Sequence, residues 1–562
     1  MFITQQNFDN AKTNRDKFPW NKYYPAVISL ADSVLKLPPP RIDTNRHNWI
    51  LEQAKCFGRY GITLAGAYRL TGESIYAEKC ITLIEDALQW EMWYWDHESS
   101  GGYGYDLTTG ELGYSLSMLM HLLGGSLKQT QRAKIYDAVR ERILNRYISS
   151  SGTENHRGKP AHWYTWHTNW NAICNGGMLS LAFYMADKEP GYSDIIPTAL
   201  KGLDYYLDAL HEDGSSIEGI GYWNYGVSYM AYALFSYESY CGKSHPVFER
   251  NVFRGGLSFP FDFSPKGAGI SFGDVNYYTP SPIMYQLAEK AGRMDISNET
   301  TQRLIKEMTI PVLTGVESCN FGERELYALL FCSEETPSAP DEEREHCKVY
   351  PDNGWMVFAS CGLRLSLRSG STDVPHAVKD LNSVQLAKNG ERLLENIVNS
   401  PYTLGWFTPG RELYAENQTT SKNAVLINGT GQLFYASAKW NRELDSISSN
   451  AKKAYPEYVT DAERTVSADS TGITIKDVIE TDAGAWHEVR YITKGDFTKI
   501  EENEYRLSCG TESCVMAFSG SCDLKFYISE LANSIAERKS AKMLRVVSQD
   551  TVKRSVICTV IK

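Results

Sequence analysis

The chain reads as an all-α domain followed by an all-β domain, and three observations say so. Apolar residues recur at helical spacing from about residue 47 to 310, the period changes from 3.6 to 2 at about 346, and an acidic, proline-bearing stretch separates the two regimes. Length agrees, because 562 residues exceed what one hydrophobic core normally organises.

In the first half the spacing predicts helices near 48–72, 75–92, 110–124, 129–147, 170–187, 193–210, 222–242, 281–292 and 298–310. Several form consecutive hairpins of similar length. Gly72 punctuates one helix and Glu73-Ser74 opens the next. Repeated antiparallel pairs of this kind curve into a ring or solenoid. The stretch 333–345 is rich in acidic residues and poor in apolar ones, and it reads as the linker between a helical domain, 1–332, and a β domain, 346–562. Within the β domain, Leu363 to Arg368 alternates cleanly. Trp355-Met-Val-Phe, Ala424-Val-Leu-Ile, Gln432-Leu-Phe-Tyr, Gly472-Ile-Thr-Ile, Leu524-Lys-Phe-Tyr-Ile and Ser555-Val-Ile-Cys-Thr-Val-Ile read as further strands. Their spacing suits an antiparallel sandwich.

Composition narrows the function. A hydrophobic share of 42% with 22% charged residues fits a soluble globular protein. A net charge of -11 argues against a nucleic-acid binder, which needs a basic field to displace counterions from phosphates. No window supplies the roughly 18 apolar residues of a membrane span. The twelve cysteines contain no C-x-x-C pair, and the first residues lack the basic and apolar regions of a signal peptide. As written, the chain reads as cytoplasmic with reduced thiols, or as periplasmic or secreted if a signal peptide was removed.

Two runs carry the chemistry. Trp166-His167-Thr-Asn169-Trp170-Asn171-Ala-Ile-Cys-Asn175-Gly-Gly and Asp213-Gly-Ser-Ser-Ile-Glu218-Gly-Ile-Gly-Tyr222-Trp223-Asn-Tyr225-Gly-Val-Ser-Tyr229 place amides, carboxylates and phenols at the start of apolar helical runs. Sugar sites combine flat aromatic faces with such hydrogen-bonding groups. Read blind, each also has a structural meaning. Asn169, Asn171 and Asn175 cap or line a helix start, and Tyr222, Tyr225 and Tyr229 sit at helical spacing in a core face. Arg59, in Phe57-Gly-Arg59-Tyr60, is either a carboxylate clamp or part of a solvated helix face. Trp163, Trp166, Trp170 and Trp223 are candidates for stacking on sugar rings or for core packing.

The order of these motifs, followed by Phe272-Gly-Asp274, Gly354-Trp-Met-Val-Phe, His376-Ala-Val378-Lys-Asp380-Leu-Asn382-Ser and Asn423-Ala-Val-Leu-Ile-Asn428-Gly, resembles the heparinase II/III-like polysaccharide lyases, which include oligoalginate lyases. The resemblance implies an incomplete (α/α) toroid with a substrate cleft across its mouth, followed by an antiparallel β-sandwich closing one side. It also implies β-elimination on an anionic, uronic-acid-containing oligo- or polysaccharide. In such chemistry the uronate carboxylate is neutralised, the C5 proton is removed, and the bond at C4 breaks to leave an unsaturated sugar.

By that resemblance Asn169 matches the neutralising asparagine. Tyr225 matches the tyrosine that serves as acid or base, with Tyr222 one helical turn away as the reserve. His376 is a second neutraliser or the base. Glu218 supports them from behind, and His167, Trp170, Asn171, Arg59 and Trp223 complete the substrate-binding set. The chain departs from the family in three places. Trp170 stands where several members have histidine after the asparagine. Val378 replaces the second histidine of a His-x-His-x-Asp run, and Lys422 precedes Asn423 where a histidine is usual. With those imidazoles missing, no metal is expected, and no cofactor is required. Other readings stay open: a uronyl C5-epimerase using the same proton abstraction, a glycosidase with Asp213 and Glu218 as its carboxylate pair, and a carbohydrate-binding protein without activity. The sugar and the oligomeric state are not legible.

Overall fold

The computed structural model describes residues 1–40, 49–94, 102, 104–152, 161–308, 324–334, 347–398, 406, 409–531 and 541–562. Contacts divide the chain into two compact units. The first comprises Met1–Leu210, Asn224–Gly255 and Thr279–Ser338, and the second His211–Trp223, Gly256–Tyr278 and Ala339–Lys562. The second unit thus draws two segments from the helical half of the sequence. Most of the acidic stretch, 335–345, lies outside the described residues.

Helices dominate the first unit: among them are Trp49–Thr71, Ser74–Leu88, Leu107–Leu123, Gln129–Val139, Asn169–Met185, Tyr192–Ala209, Ile283–Ala291 and Met294–Met308. Helix Ile220–Cys241 begins in segment His211–Trp223 and runs on through the first unit. The expected helices are present, with one local difference. The segment expected as a single helix over 129–147 changes to π-helical turns at Arg140–Leu144 before the α-helix Asn145–Ser150. Helices Gln5–Thr13, Trp20–Leu35 and Arg324–Phe331 are additional.

Leu107–Leu123 is an inner helix. Asp106 accepts from the Thr108 backbone N–H at 2.9 Å and caps it, and every one of its residues except His121 is buried, as befits a helix apolar on all sides. It crosses Asn169–Met185 so closely that a Cβ at Gly110 would stand 2.6 Å from the Ile173 carbonyl oxygen. Glycine is what permits that approach.

In the second unit the described strands form three antiparallel sheets. One orders Cys347–Tyr350, Trp355–Ser360, Leu363–Arg368, Val384–Lys388 and Glu391–Leu394. A nine-stranded sheet orders Asp496–Glu501, Glu504–Cys509, Glu512–Gly520, Val552–Ile561, Gly472–Ala485, Val459–Asp469, Ser446–Asn450, Ser437–Arg442 and Gly370–Ser371. The third orders Leu524–Leu531, Ala541–Ser548, His487–Thr493 and Val425–Ile427. Buried residues alternate along Val459–Asp469 and Val552–Ile561, the mark of strands with one face on a core. That core joins all three sheets through residues such as Leu365, Val384, Ile475, Leu507, Val489 and Leu544, which makes a sandwich.

Two expectations need correction. Gln432 to Tyr435 is not a strand: Tyr435 has φ +54°, Leu433 is exposed, and the Gln432 amide bonds both the N–H and the carbonyl of Leu381. Nor are all the described thiols reduced, since Cys56 is disulfide-bonded while the other ten described cysteines are free. Among the described residues no helix is long and apolar enough to cross a membrane.

Candidate active site

Two constellations emerge, one in each unit. In the second unit His376 lies in the loop between strands Gly370–Ser371 and Val384–Lys388, with φ +60°. A non-glycine residue there is held by its surroundings, and such positions cluster at functional sites. The holding is visible. The Asp274 backbone N–H donates to the His376 carbonyl at 3.0 Å, and the Gly273 N–H points to Asp380 Oδ2 at 3.4 Å. Gly273 itself has φ +90°, and a Cβ there would meet the His376 carbonyl oxygen at 3.0 Å. Glycine is therefore demanded twice over. Asp380 is anchored in turn by Arg368.

The imidazole is set by carboxylates. His376 Nδ1 lies 3.1 Å from Asp274 Oδ2 and donates to it, while Nε2 is 3.9 Å from Glu218 Oε1. Arg411 Nη2 approaches the same Asp274 oxygen at 3.5 Å and donates to the Ala377 carbonyl at 2.9 Å. The Tyr222 ring stacks on the imidazole, with centroids 3.7 Å apart and planes within 16°. Burial is the largest single influence on the His376 pKa and lowers it. Asp274, by charge and hydrogen bond, and Glu218 together outweigh that effect, and Arg411 opposes them; the net direction is upward. This favours the imidazolium.

In the first unit, Glu111 stands on the inner helix Leu107–Leu123 and is 4% exposed. Tyr225 donates its phenol to Glu111 Oε1 and Tyr229 donates to Oε2. The two tyrosines are one turn apart on one helix and therefore share a face. Lys55 Nζ sits 4.1 Å above the centroid of the Tyr225 ring. Burial pushes the Glu111 pKa up, against the opposing pull of Lys55 and of the two phenols.

The remaining sequence candidates are distributed unevenly. Asn169 is the first residue of helix Asn169–Met185 and is buried. His167 is exposed beside Tyr205, with ring centroids 5.8 Å apart. Half-buried Trp170 joins Trp166 and His162 in an aromatic group, at 5.9 and 6.2 Å. Three residues assigned to substrate binding are instead placed in structural roles. Asn171 is fully buried and donates to the carbonyls of Tyr164 at 2.7 Å and Gly202 at 3.0 Å. Trp223 is 1% exposed and cannot offer its face to a sugar. Arg59, also 1% exposed, is neither a clamp at a surface nor solvated: it forms an ion pair with buried Glu325 at 3.2 Å. Burial shuts all three off from solvent.

Asp213, the other carboxylate weighed from sequence, holds a turn. Its Oδ1 accepts from the Ser215 N–H at 2.8 Å and hydroxyl at 2.6 Å, and its Oδ2 from the Asp352 N–H at 3.3 Å. At the two positions where the resemblance led an imidazole to be expected, Val378 is buried, and Lys422 Nζ donates to the carbonyls of Ile397 and Glu416, each at 2.6 Å. Burial pushes the Lys422 pKa down to about 7. Sequence reasoning missed Glu111, Lys55 and Arg411, and gave Asp274 no role. A lone acid within the apolar run 107–123 was the available signal for Glu111, because a buried carboxylate requires partners.

No protein-family model matches the chain, and no curated protein matches it. Solved structures do. The chain is similar to a crystal structure of heparinase III, with a TM-score of 0.65 and 11% identity over 94% of this chain and 78% of that one. It is similar to another heparinase III at a TM-score of 0.61 and 13% identity, over 98% of this chain and 91% of that one. Heparan sulfate lyase HepC from Pedobacter heparinus follows, at 0.55 and 12%, over 100% and 93%. The fold is thus that of the heparinase-like polysaccharide lyases, a helical toroid followed by an antiparallel β-sandwich.

Proposed function

We propose that this protein is a lyase that cleaves a uronic-acid-containing oligo- or polysaccharide by β-elimination, leaving an unsaturated uronate. The observation that carries this reading is the His376 imidazole, oriented by Asp274, flanked by Glu218 and stacked on Tyr222. A cationic imidazole suits the first demand of the reaction. The C5 proton is weakly acidic, and it becomes removable only when the neighbouring carboxylate is neutralised and the enolate charge that develops is held. His376 and Asn169 are assigned that task. Tyr225 takes the C5 proton and returns a proton to the departing O4, with Tyr222 fixing the imidazole plane. The heparinases and the heparan sulfate lyase that share the fold support this reaction class.

Glycoside hydrolysis by Asp213 and Glu218 fits less well. Hydrolysis needs a carboxyl presented to the glycosidic oxygen, whereas one Asp213 oxygen is engaged by Ser215 in its own turn and the other by the Asp352 backbone N–H. The test is incubation with a panel of uronate glycans. A lyase generates the ultraviolet absorbance of a 4,5-unsaturated uronate; new reducing ends without that absorbance would replace this assignment with hydrolysis.

A further inference from the structure

In the first unit, the short run from His162 to Trp170 sends its indoles in opposite directions. Trp163 goes inward: it is fully buried, with its ring 5.1 Å from that of Tyr105 and 5.6 Å from that of Tyr147. Trp166 stays 42% exposed, yet its ring is not loose. The His162 imidazole lies 4.4 Å from it with planes 50° apart, and the half-buried Trp170 indole meets it edge-on at 5.9 Å and 68°. The backbone beneath is fixed as well. Trp166 caps the short helix His162–Thr165 in an extended conformation, and Asn169 opens the next helix. Buried Asn171 ties the two helices together by donating to the carbonyls of Trp163 at 3.3 Å and Tyr164 at 2.7 Å.

Stability does not explain an indole held in this way. An aromatic side chain stabilises a fold by being covered, and in this run Trp163 does so while Trp166 does not. What the bracing provides is a flat apolar face, set in place before a ligand arrives and therefore cheap to order on binding. Burial holds the His162 pKa below the ordinary imidazole value, so this neighbour is a neutral ring at neutral pH, and the indoles carry no charge. The face attracts by contact and offers no countercharge. On this geometry, and resting on the lyase reading above, we infer that Trp166, braced by His162 and Trp170, is a sugar-stacking subsite that covers the C–H face of one pyranose of the bound glycan. The reacting uronate needs its carboxylate neutralised, which these rings cannot do, so the stacked unit is another sugar of the same chain. Any carboxylate or sulfate on that unit is left to water. Asn169, assigned above to the uronate carboxylate, directly precedes Trp170, and the platform thus continues the same stretch of chain.

The test measures binding apart from cleavage. Tetrasaccharides and hexasaccharides from alginate and from heparan sulfate are titrated into the full chain by calorimetry, and initial rates are taken on those that are cleaved. Trp166→Ala should weaken Kd and raise KM about tenfold, the worth of the exposed indole area that a sugar ring would cover, with kcat changed by no more than about twofold. Trp166→Phe keeps a flat apolar face and should recover most of the loss. The loss should be equal at low and high salt, because stacking is not screened. A parental Kd in Trp166→Ala, a loss that phenylalanine does not recover, or a loss that fades with added salt overturns the subsite. So does a change of oligomeric state in Trp166→Ala with Kd unaltered, which would make the face a contact between two copies of the chain. The lyase reading fails separately. A parent protein that binds these oligosaccharides but forms no unsaturated uronate, with Trp166→Ala still binding about tenfold more weakly, keeps the subsite and removes the reaction; a Trp166→Ala protein that cleaves with parental KM keeps the reaction and removes the subsite.

Discussion

Asp274→Asn removes one charge and almost no volume from the His376 site, and its consequence can be worked out. Asp274 Oδ2 lies 3.1 Å from His376 Nδ1 and 3.5 Å from Arg411 Nη2. At an effective dielectric of about 20, each unit-charge attraction at such a separation is about 5 kcal/mol. Only the attraction to His376 stabilises the imidazolium; desolvation of the buried carboxylate offsets part of it, and the amide oxygen still accepts from Nδ1. A net loss of about 2–3 kcal/mol in the stabilised imidazolium follows, which is about a hundredfold in kcat/KM. The pH dependence gives the prediction its sign. The folded-state pKa of His376 is raised by Asp274 and Glu218 against burial, so the parent retains the cation as pH climbs past the usual imidazole range. The asparagine variant surrenders it earlier. The ratio of variant to parental kcat/KM should therefore fall as pH rises and recover toward acid. Initial rates of unsaturated-product formation across pH measure it. A ratio that is flat, or that improves with rising pH, refutes the claim that His376 acts as a cation.

Three further outcomes follow from the same geometry. Tyr225→Phe should abolish turnover by about 10²–10⁴-fold while leaving substrate binding by calorimetry intact, and retained turnover would move the base to Tyr222 or a histidine. Gly273→Ala, at φ +90° and 3.0 Å from the His376 carbonyl, should cost about 1–3 kcal/mol of local stability and lower activity; hydrogen exchange at Asp274 reads the stability, and unchanged exchange contradicts the strain argument. Glu325→Gln leaves Arg59 buried beside a neutral partner and should destabilise the helical unit by about 3–5 kcal/mol in denaturant unfolding, whereas a stability near the parental value would show that the pair contributes little.

The sequence carried the architecture well because its signals are periodic. Helical spacing survives loops and insertions, and the change of period marks the sandwich without reference to any one residue. Single positions were less legible. Arg59 and Asn171 are polar residues held in part by distant partners, Glu325 and the Gly202 carbonyl, and nothing local separates a buried polar group from a cleft-facing one. Glu111 was hidden for the same reason: its tyrosine partners are 114 and 118 residues away. His376, Tyr222 and Glu218 were legible together because the resemblance fixed their order, and the fold unites them in one constellation. Gln432 to Tyr435 misled because a short run of strand-favouring apolar and aromatic residues does not reveal a positive φ at Tyr435.

The most direct test of the β-elimination claim is the intact mass of the products formed from a defined uronate oligosaccharide in deuterium oxide. Elimination predicts two fragments whose backbone masses sum to that of the substrate, one of them unsaturated. Fragments that together exceed the substrate by one water would establish hydrolysis, and an uncleaved chain bearing deuterium at C5 would establish epimerisation; either contradicts the account.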